Sequence, residues 1–364
     1  MGAVRRWWWL WAQCPGVGPA RLAQLQRVAL EHGTDLGGLW TWPLDQLRMA
    51  LRWSDQLICA LERHRQRLGP DPRLPLPQRL LLPVDSQWPK GFHALDRPPV
   101  MVFWEGNESL FAPLGSGHAV AVVGSRRPSA HGLRAAEKLG EALARAGWPV
   151  VSGLAEGIDA AVHQGCLRGG GQPVAVLGTP LERAYPPEHR QLQSDVARAG
   201  LLITELAPGG RVQRSSFALR NRLLVAVARA VVIVECPKSS GALHSAAIAQ
   251  SMGLPLWVVP GDAMRHSAQG SNALLQRQAS ALVDLSAFIH ALGTGPVPSP
   301  DSVGKPMPRT PSTVKLLQQV DNGATLEQMA RSLQDDPQHI AQQLMQLELD
   351  GVVTPMPGLR WRSL

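Results

Sequence analysis

One stretch, residues 120–157, constrains the fold more than any other part of the chain. It opens with the apolar run Val120–Val123, which is short enough to be a buried parallel strand. A helical pattern of apolar residues follows, and a second apolar run begins at Val150. Glycine turns close the two runs, at Gly124 and at Gly153. Strand, helix and strand in this order form the repeating unit of a doubly wound parallel sheet.

The same alternation of short apolar runs and helical patterns continues to about residue 284. We therefore predict a Rossmann-like α/β domain with a doubly wound, mostly parallel sheet over residues 119–292. A further strand is expected at residues 100–104, ahead of this domain. The predicted strands of the domain are 120–123, 150–151, 174–177, 201–204, 230–234 and 256–259.

The turn after the first predicted strand departs from the fingerprint of dinucleotide-binding proteins. That fingerprint has glycine at its first, third and sixth positions, where this chain has Gly124, Arg126 and Ser129. An acid that binds the ribose normally follows the second strand, which here ends at Ser152. The crevice is therefore not expected to bind NAD. Arg126 and Arg127 stand together at a helix start and favour another anion, although both could be ordinary solvated charges.

Two later stretches are expected to reach the same edge of the sheet. Residues 211–222 contain four arginines and Phe217 but no acid. Cations that follow phosphates and a ring that stacks on any base are what single-stranded nucleic acid requires. The alternative is a solvated basic loop in which Phe217 anchors the core. Residues 236–246 follow a strand and lead into a helix, so Ser240 and Gly241 should lie near Arg126.

The composition favours an acidic or phosphate-rich partner. The chain has 364 residues, enough for two or three domains, with a formal net charge of +8 and an isoelectric point of about 10.0. Many soluble proteins are mildly basic, so the location of the charge matters more than its total. Basic residues outnumber acidic ones by five in residues 1–83 and by six in residues 119–285, but not near the C-terminus.

Cysteine and hydropathy patterns indicate a cytoplasmic protein without a cofactor, a metal site or a membrane span. The tryptophan-rich residues 5–11 mimic a signal peptide, but their apolar run is too short. No other stretch is long enough to span a membrane. The cysteines form no C-x-x-C pair, so we expect small buried thiols in a reducing compartment rather than a zinc site or disulfides. These cysteines are Cys14, Cys59, Cys166 and Cys236.

A small helical domain is predicted over residues 1–70, ahead of the sheet. Its turn at residues 15–19 resembles a helix–hairpin–helix element, whose backbone amides can hold a DNA phosphate. Turns of this kind also serve as plain helix connectors, and both interpretations stay open. The proline-rich residues 71–118 are predicted to form a linker and the leading segment of the core.

A second small domain is predicted at the C-terminus. A Gly-, Pro- and Ser-rich linker covers residues 293–311, and residues 312–364 follow the pattern of a winged helix. Its wing would use residues 351–353 and 360–362. The predicted recognition helix has no Lys or Arg in residues 337–350, so a protein contact or domain packing is favoured over DNA binding.

Several motifs are shared with one known protein family. They are VGSRRPS at 123–129, SGLAEGID at 152–159 with His163, Tyr185-Pro186, FALRNR at 217–222, SGA at 240–242 and Pro260-Gly261. Together they resemble the DNA-processing protein A family (DprA, also called Smf), and the resemblance covers nearly the whole chain. It implies a Rossmann-like core with a helical N-terminal domain and a C-terminal winged helix. It also implies a non-enzymatic homodimer that binds single-stranded DNA entering during natural transformation, protects it and helps to load RecA recombinase.

The chain departs from the family pattern in two places. Residues 243–245 read Leu-His-Ser where the family usually has Leu-Ile-Thr, and residues 278–279 replace a Gly-Ala pair expected near the dimer surface. By motif position, the family's DNA-contacting basic residues correspond to Arg126 and Arg214. Phe217 corresponds to the aromatic residue of the pocket or lies near it.

The predicted DNA site combines cations for phosphates, a ring for a base and backbone amides for phosphate oxygens. The cations are Arg126, Arg214 and Arg220, the ring is Phe217, and the amides are those of Ser125, Gly153 and Gly241. Asn221 and Arg222 could instead brace their loop. The complete predicted site is Ser125, Arg126, Arg127, Gly153, Arg214, Phe217, Arg220, Asn221, Ser240 and Gly241.

The alternative function is a nucleotide-processing enzyme on the same sheet, of the LOG-like N-glycosidase kind. Those enzymes carry a Pro-Gly-Gly-x-Gly-Thr run followed by a catalytic Glu, whereas the equivalent turn here, residues 239–244, has no acid. Glu156 and Asp159 are the carboxylates expected near the sheet edge, where a helix-start role is favoured over acid–base chemistry. Asp159 and His163 have the spacing of a structural hydrogen bond on a helix. We therefore predict no enzymatic activity.

Overall fold

The computed structural model describes residues 2–73, 75–299, 311–349 and 353–363. The chain divides into two compact units, Met1–Asp301 and Ser302–Leu364. The N-terminal helices share the first unit with the sheet, and the domain boundaries predicted within that unit stay predictions. Residues 300–310 of the predicted second linker lie outside the described residues.

The first unit is built around a nine-stranded sheet. Its strands are β1 (Leu80–Leu81), β2 (Val102–Gly106), β3 (Val120–Val123), β4 (Val150–Ser152), β5 (Pro173–Leu177), β6 (Leu201–Thr204), β7 (Ala230–Ile233), β8 (Leu256–Val258) and β9 (Ser280–Ala281). They lie in the order β1-β2-β6-β5-β4-β3-β7-β8-β9. Every neighbouring pair from β6 to β9 is parallel, whereas β2 is antiparallel to both β1 and β6. The predicted α/β class with a mostly parallel sheet is confirmed.

Helices cover both faces of this sheet. One face packs against α8, α9 and α14, and the other face packs against α11 and α12. The helices of the first unit are α1 (Gly2–Ala12), α2 (Pro19–Glu31), α3 (Leu36–Thr41), α4 (Leu44–Leu51), α5 (Asp55–Leu68), α6 (Lys90–His93), α7 (Phe111–Gly115), α8 (Ala130–Arg145), α9 (Ile158–Arg168), α10 (Arg190–Ala199), α11 (Arg214–Ala226), α12 (Ala242–Ser251), α13 (Gln269–Leu275) and α14 (Leu285–Leu292). Short 3-10 turns occur at Glu108–Leu110, Pro187–His189 and His266–Ala268.

The observed strands β3 to β8 lie within one residue of their predicted bounds. Because helices bury both faces of these strands, their sequences are continuous apolar runs that stand out from their surroundings. The strand predicted at residues 100–104 begins two residues later, as β2. Strands β1 and β9 were not predicted, since two residues are too few to show a hydrophobic pattern.

The order of the strands places a crevice between β3 and β7. From β3 the chain proceeds outward through β4, β5 and β6, and it then crosses back to continue through β7, β8 and β9 on the other side. Connections therefore leave β3 and β7 in opposite directions. At such a switch point the carboxyl ends of the strands are left open, and open α/β sheets bind their ligands there.

The N-terminal helices α1 to α5 pack against one edge of the sheet. Trp11 and Trp40 are buried in a cluster that also contains Leu82 and Phe103, so these helices and the strands share one core. The Trp40 indole donates a hydrogen bond to the carbonyl of Gly69 over 3.0 Å. Trp40 is therefore part of this core.

In residues 311–349 and 353–363, which the structure describes, the second unit contains three helices followed by a hairpin. The hairpin pairs β10 (Val353–Met356) with β11 (Arg360–Ser363) in antiparallel register. Thr325 caps the second of these helices, because its hydroxyl accepts a hydrogen bond from the amide of Gln328. These are the elements that the winged-helix prediction names; the assignment to that fold stays a prediction, and residues 351–352 of the predicted wing lie outside the described residues. The helices are α15 (Pro311–Asp321), α16 (Leu326–Leu333) and α17 (Pro337–Leu349).

Three of the four cysteines are buried, as expected. Burial raises the pKa of Cys14, Cys166 and Cys236 to about 12. The expectation is wrong for Cys59, which is exposed on α5 because Ile58 and other apolar neighbours occupy the inward face of that helix. Within the described parts of both units, no helix has the length and apolarity that crossing a bilayer requires.

Candidate nucleic-acid interface

A cleft of about 470 Å³ lies at the switch point, above the carboxyl ends of β3 and β7. Its walls come from the turn after β3, the first turns of α11 and the turn that leads into α12. Nine of the ten predicted site residues line the cleft together: Ser125, Arg126, Arg127, Arg214, Phe217, Arg220, Asn221, Ser240 and Gly241. The tenth, Gly153, lies behind the wall, against the guanidinium of Arg220.

The turn after β3 is held by Glu235, the residue that follows the apolar run of β7. The amide and hydroxyl of Ser129 donate hydrogen bonds of 2.9 and 2.6 Å to the Glu235 carboxylate. The Ser129 hydroxyl also caps α8 by accepting a bond from the amide of Gly132. Burial alone would raise the pKa of Glu235, but hydrogen bonds from Ser129 and Ser267 hold it below its ordinary value. An ionised carboxylate therefore fixes the shape of this turn.

The expectation that Ser125 offers its backbone amide to a phosphate is wrong. That amide already donates a 2.6 Å hydrogen bond to the carbonyl of Glu235. The Ser125 hydroxyl accepts a bond of 3.0 Å from the amide of Arg127, and the side chain is buried. Ser125 therefore lines the cleft but stabilises the turn, since its polar groups are paired within the fold. The neighbouring Arg126 and Arg127 are exposed.

Three exposed arginines, Arg126, Arg127 and Arg214, line the cleft beside one aromatic ring. Arg126 and Arg214 are exposed, and neither forms an ion pair within the part of the chain that the structure describes. The guanidinium carbon of Arg126 lies 5.7 Å from the centroid of the half-buried Phe217 ring. Phe217 packs on Gly178 at the end of β5, where a Cβ would come within 2.7 Å of the ring. Cationic and aromatic surface therefore meet in one place.

Arg220 lies inside the wall of the cleft instead of on its surface. Its guanidinium donates a 2.6 Å hydrogen bond to the carbonyl of Val176, and only 5% of the residue is exposed. Burial lowers the pKa of Arg220, and the nearby Asp159 carboxylate opposes that shift. A phosphate contact was predicted for Arg220, but burial and the bond to β5 make it a brace for the start of α11.

Gly153 is required by this brace. A Cβ at Gly153 would overlap the guanidinium of Arg220, so only glycine leaves room for it. The backbone amides of Gly153 and Ala155 donate hydrogen bonds to the Asp159 carboxylate. Burial raises the pKa of Asp159, and Arg220 together with these bonds opposes the rise. The predicted hydrogen bond from the Gly153 amide to DNA is therefore wrong, because this amide already donates to the buried Asp159 carboxylate.

The last two predicted members, Ser240 and Gly241, shape the opposite wall. The Ser240 hydroxyl accepts a 3.2 Å hydrogen bond from the first amide of α12. The side-chain amide of Asn221 donates to the carbonyl of Gly241 over 3.4 Å, which links α11 to this turn. Arg222 forms two bonds of 2.6 and 2.7 Å with the carboxylate of Glu205. Arg222 therefore braces α11 against Glu205, as the alternative considered for this residue proposed.

Comparison with known proteins identifies the family. The family model described as DNA recombination-mediator protein A matches residues 79–293, more than half of the chain. The chain belongs to the DprA/Smf family. Its DprA relatives include Protein Smf of Synechocystis sp., 29% identical over 98% of both chains, and the putative DNA processing protein DprA of Mycobacterium tuberculosis, 33% identical over 79% of this chain and 77% of that protein.

Two solved DprA structures share the fold. DprA of Streptococcus pneumoniae superposes with a TM-score of 0.65 at 24% identity, over 76% of this chain and 94% of that one. DprA of Helicobacter pylori superposes with a TM-score of 0.52 at 29% identity, over 59% of this chain and 95% of that one. The H. pylori work concerns the single-stranded DNA binding mode of that protein.

A histidine, His163, is fully buried on α9. Burial, together with the charges of Arg220 and His189, lowers the pKa of His163 to about 3. Neither ring nitrogen has a hydrogen-bond partner within the described residues. The expected bond between His163 and Asp159 is therefore absent, and the carboxylate is stabilised by backbone amides and by the charge of Arg220 instead.

His163 should make the stability of the protein depend on pH. Its pKa is about 3 in the folded state and 6.5 ordinarily, so below pH 6.5 the unfolded chain binds a proton that the native state excludes. The contribution of neutral His163 to the free energy of unfolding is thus fully present above pH 6.5 and is lost as the pH falls toward 3. We expect a loss of about 2 kcal/mol between about pH 7.5 and about pH 5 from this residue alone.

Urea unfolding at both pH values, for the wild type and for His163→Leu, measures this contribution. The variant should lose about 2 kcal/mol less than the wild type across the interval. His244→Leu, at an exposed position on α12, is the matched control and should lose as much stability as the wild type between the two pH values. Equal losses in the wild type and His163→Leu would contradict the assignment.

Sequence reasoning did not assign Glu235 or Tyr185 to the site, although Tyr185-Pro186 is one of the motifs shared with the family. Glu235 directly follows the apolar run of β7, and that position at the carboxyl edge was the available signal. The Tyr185 ring lies 4.8 Å from Phe217, between centroids, but only the fold brings these residues together. In the part of the chain that the structure describes, no group of three or more His, Cys, Asp or Glu side chains is placed to hold a metal ion.

Proposed function

We propose that this DprA family member binds single-stranded DNA in the switch-point cleft. The observation that carries the proposal is the arrangement of Arg126 and Arg214, exposed and without an ion pair in the described residues, around the Phe217 ring. The arginines can neutralise phosphates of any sequence, and the ring can stack on any base. The single-stranded DNA binding mode of the H. pylori relative supports the same assignment.

Each part of the cleft has a distinct task in this proposal. Arg126, Arg127 and Arg214 follow the backbone of the strand, and Phe217 takes a base. Glu235 and Arg220 touch no DNA; they hold the turn after β3 and the start of α11 in place. Affinity then depends on the exposed cations, and the geometry of the site depends on the buried charges.

Bound DNA should be shielded from nucleases. A labelled single strand incubated with a single-strand exonuclease should survive when the wild-type protein is present in excess. A variant that lacks the positive charge of Arg126 and Arg214 should not protect it under the same conditions. Equal digestion with and without the wild-type protein would contradict the protective function.

Family membership supports further parts of the proposal: a cytoplasmic homodimer that helps to load RecA recombinase on DNA taken up during natural transformation. The family model describes a DNA recombination mediator, which fits a protein that passes DNA to a recombinase. The rate of RecA filament assembly on a single strand, with and without the protein, tests this step. Light scattering of the purified chain tests the dimer.

The proposed function involves no chemical step. Asp159 lines the cleft, but its carboxylate is engaged by backbone amides and faces the buried Arg220. Glu156 is exposed and is not among the residues that line the cleft. Among the residues that line the cleft in the described structure, no carboxylate is free for the acid–base work of a nucleotide N-glycosidase. Release of base from nucleoside monophosphates, abolished by Glu156→Gln, would contradict the binding-only function.

A further inference from the structure

Tyr185 extends the aromatic surface of the cleft beyond its rim. Its ring lies 4.8 Å from that of Phe217, between centroids, with the two planes inclined at 46°. Tyr185 is 44% exposed, although it is the only tyrosine in the chain and sits beside an aromatic neighbour that could have covered it. It does not line the cleft itself, so it presents a second ring next to the proposed DNA site.

The loop that carries Tyr185 is anchored at several points. The Thr179 hydroxyl donates a 2.7 Å hydrogen bond to the carbonyl of Arg183, and the Gln193 side chain donates one of the same length to the carbonyl of Leu181. Beyond the ring, His189 bonds the carbonyl of Leu154 over 3.0 Å. A ring on an anchored loop can bind a base without the entropy cost of ordering the loop.

The position of the ring defines a path for the strand. Arg126 follows β3, whereas Tyr185 belongs to the loop after β5, and Phe217 lies between them at Gly178. The exposed Arg183 stands two residues before Tyr185 and has no ion pair within the described residues. A cation and two rings thus follow one another from the end of β3 to the loop after β5, the combination of cationic and aromatic surface that single-stranded DNA requires.

We propose that Tyr185 is a second base-stacking residue, so that DNA leaving the cleft places successive bases on Phe217 and Tyr185. This inference rests on the proposed function. Because the two rings are inclined at 46°, a straight stack of bases cannot lie flat on both of them, and the strand must turn at this step. The structural alternative is that Tyr185 only supports Phe217 and touches no DNA.

Affinity measurements on Tyr185 variants test the inference. Full-length Tyr185→Ala and Tyr185→Leu should each bind a short labelled oligothymidylate roughly 5- to 30-fold more weakly than the wild type, because one base loses its stacking partner. Tyr185→Phe keeps the ring and should bind within about twofold of the wild type. Arg198→Ala, at the opposite edge of the sheet, is the control for general surface changes.

Photo-cross-linking separates direct stacking from support of Phe217. An oligonucleotide that carries 5-iodouracil should cross-link to Tyr185 as well as to Phe217, as located by peptide mass spectrometry. Cross-links at Phe217 alone, with Tyr185→Ala binding as tightly as the wild type, would overturn the inference but leave the proposed function intact. Failure of the wild type to bind any single strand would overturn both.

Discussion

The double variant Arg126→Ala/Arg214→Ala is expected to bind single-stranded DNA about 25-fold more weakly than the wild type at about 0.1 M salt. Each phosphate contact with a single strand contributes about 0.7 to the slope of log affinity against log salt, which is about fivefold in affinity at that concentration. Removing two contacts should therefore also reduce the slope by about 1.4. Fluorescence anisotropy at several salt concentrations measures both quantities.

A charge-matched control shows whether the loss is local. Arg168 and Arg198 are exposed, and they lie near the ends of α9 and α10, at the amino edge of the sheet, far from the cleft. The double variant Arg168→Ala/Arg198→Ala removes the same net charge and should keep the wild-type slope. If both double variants lose affinity equally, binding reflects the overall charge of the protein and not the cleft.

The variant Arg220→Met is expected to lower the free energy of unfolding by about 3 kcal/mol. Removing the guanidinium leaves the Asp159 carboxylate buried without its cation and leaves the carbonyl of Val176 without its donor. The start of α11 then loses its brace, so affinity for DNA should fall as well. The salt slope should not change, since a cation that is 5% exposed releases no counterion when DNA binds.

Urea unfolding and anisotropy on the same preparation distinguish a brace from a phosphate contact. Arg198→Met, a substitution of an exposed arginine, should leave stability within about 0.5 kcal/mol of the wild type. Adding Asp159→Asn to Arg220→Met should recover part of the stability, because the uncompensated buried charge is removed. A normal stability with a reduced salt slope would show that Arg220 contacts phosphate after all.

The strands that carry the site could be predicted from the sequence because they are buried on both faces. Runs such as Val120–Val123 and Ala230–Ile233 are apolar at every position, and glycine-rich turns close them. The parallel order then brings the turns at Gly124 and Gly241 to one edge. For this reason nine of the ten predicted site residues line one cleft.

The roles within that cleft could not be predicted. Arg214 and Arg220 belong to the same helix, but Arg220 is buried because its guanidinium bonds β5 and occupies the space that Gly153, at the end of β4, leaves open. Sequence patterns do not show which backbone amides are already bonded, as for Ser125 and Glu235. Contacts between distant loops, such as the ring of Tyr185 beside Phe217, depend on tertiary packing alone.

The central claim is that this chain binds single-stranded DNA through an open cleft at the carboxyl edge of its sheet. The most direct test titrates a labelled single strand and a duplex of the same sequence, followed by fluorescence anisotropy at low and high salt. We expect tight, salt-sensitive binding of the single strand, little dependence on its sequence and clearly weaker binding of the duplex, whose paired bases cannot reach Phe217. Equal affinity for both forms, or no binding to either, would contradict the claim.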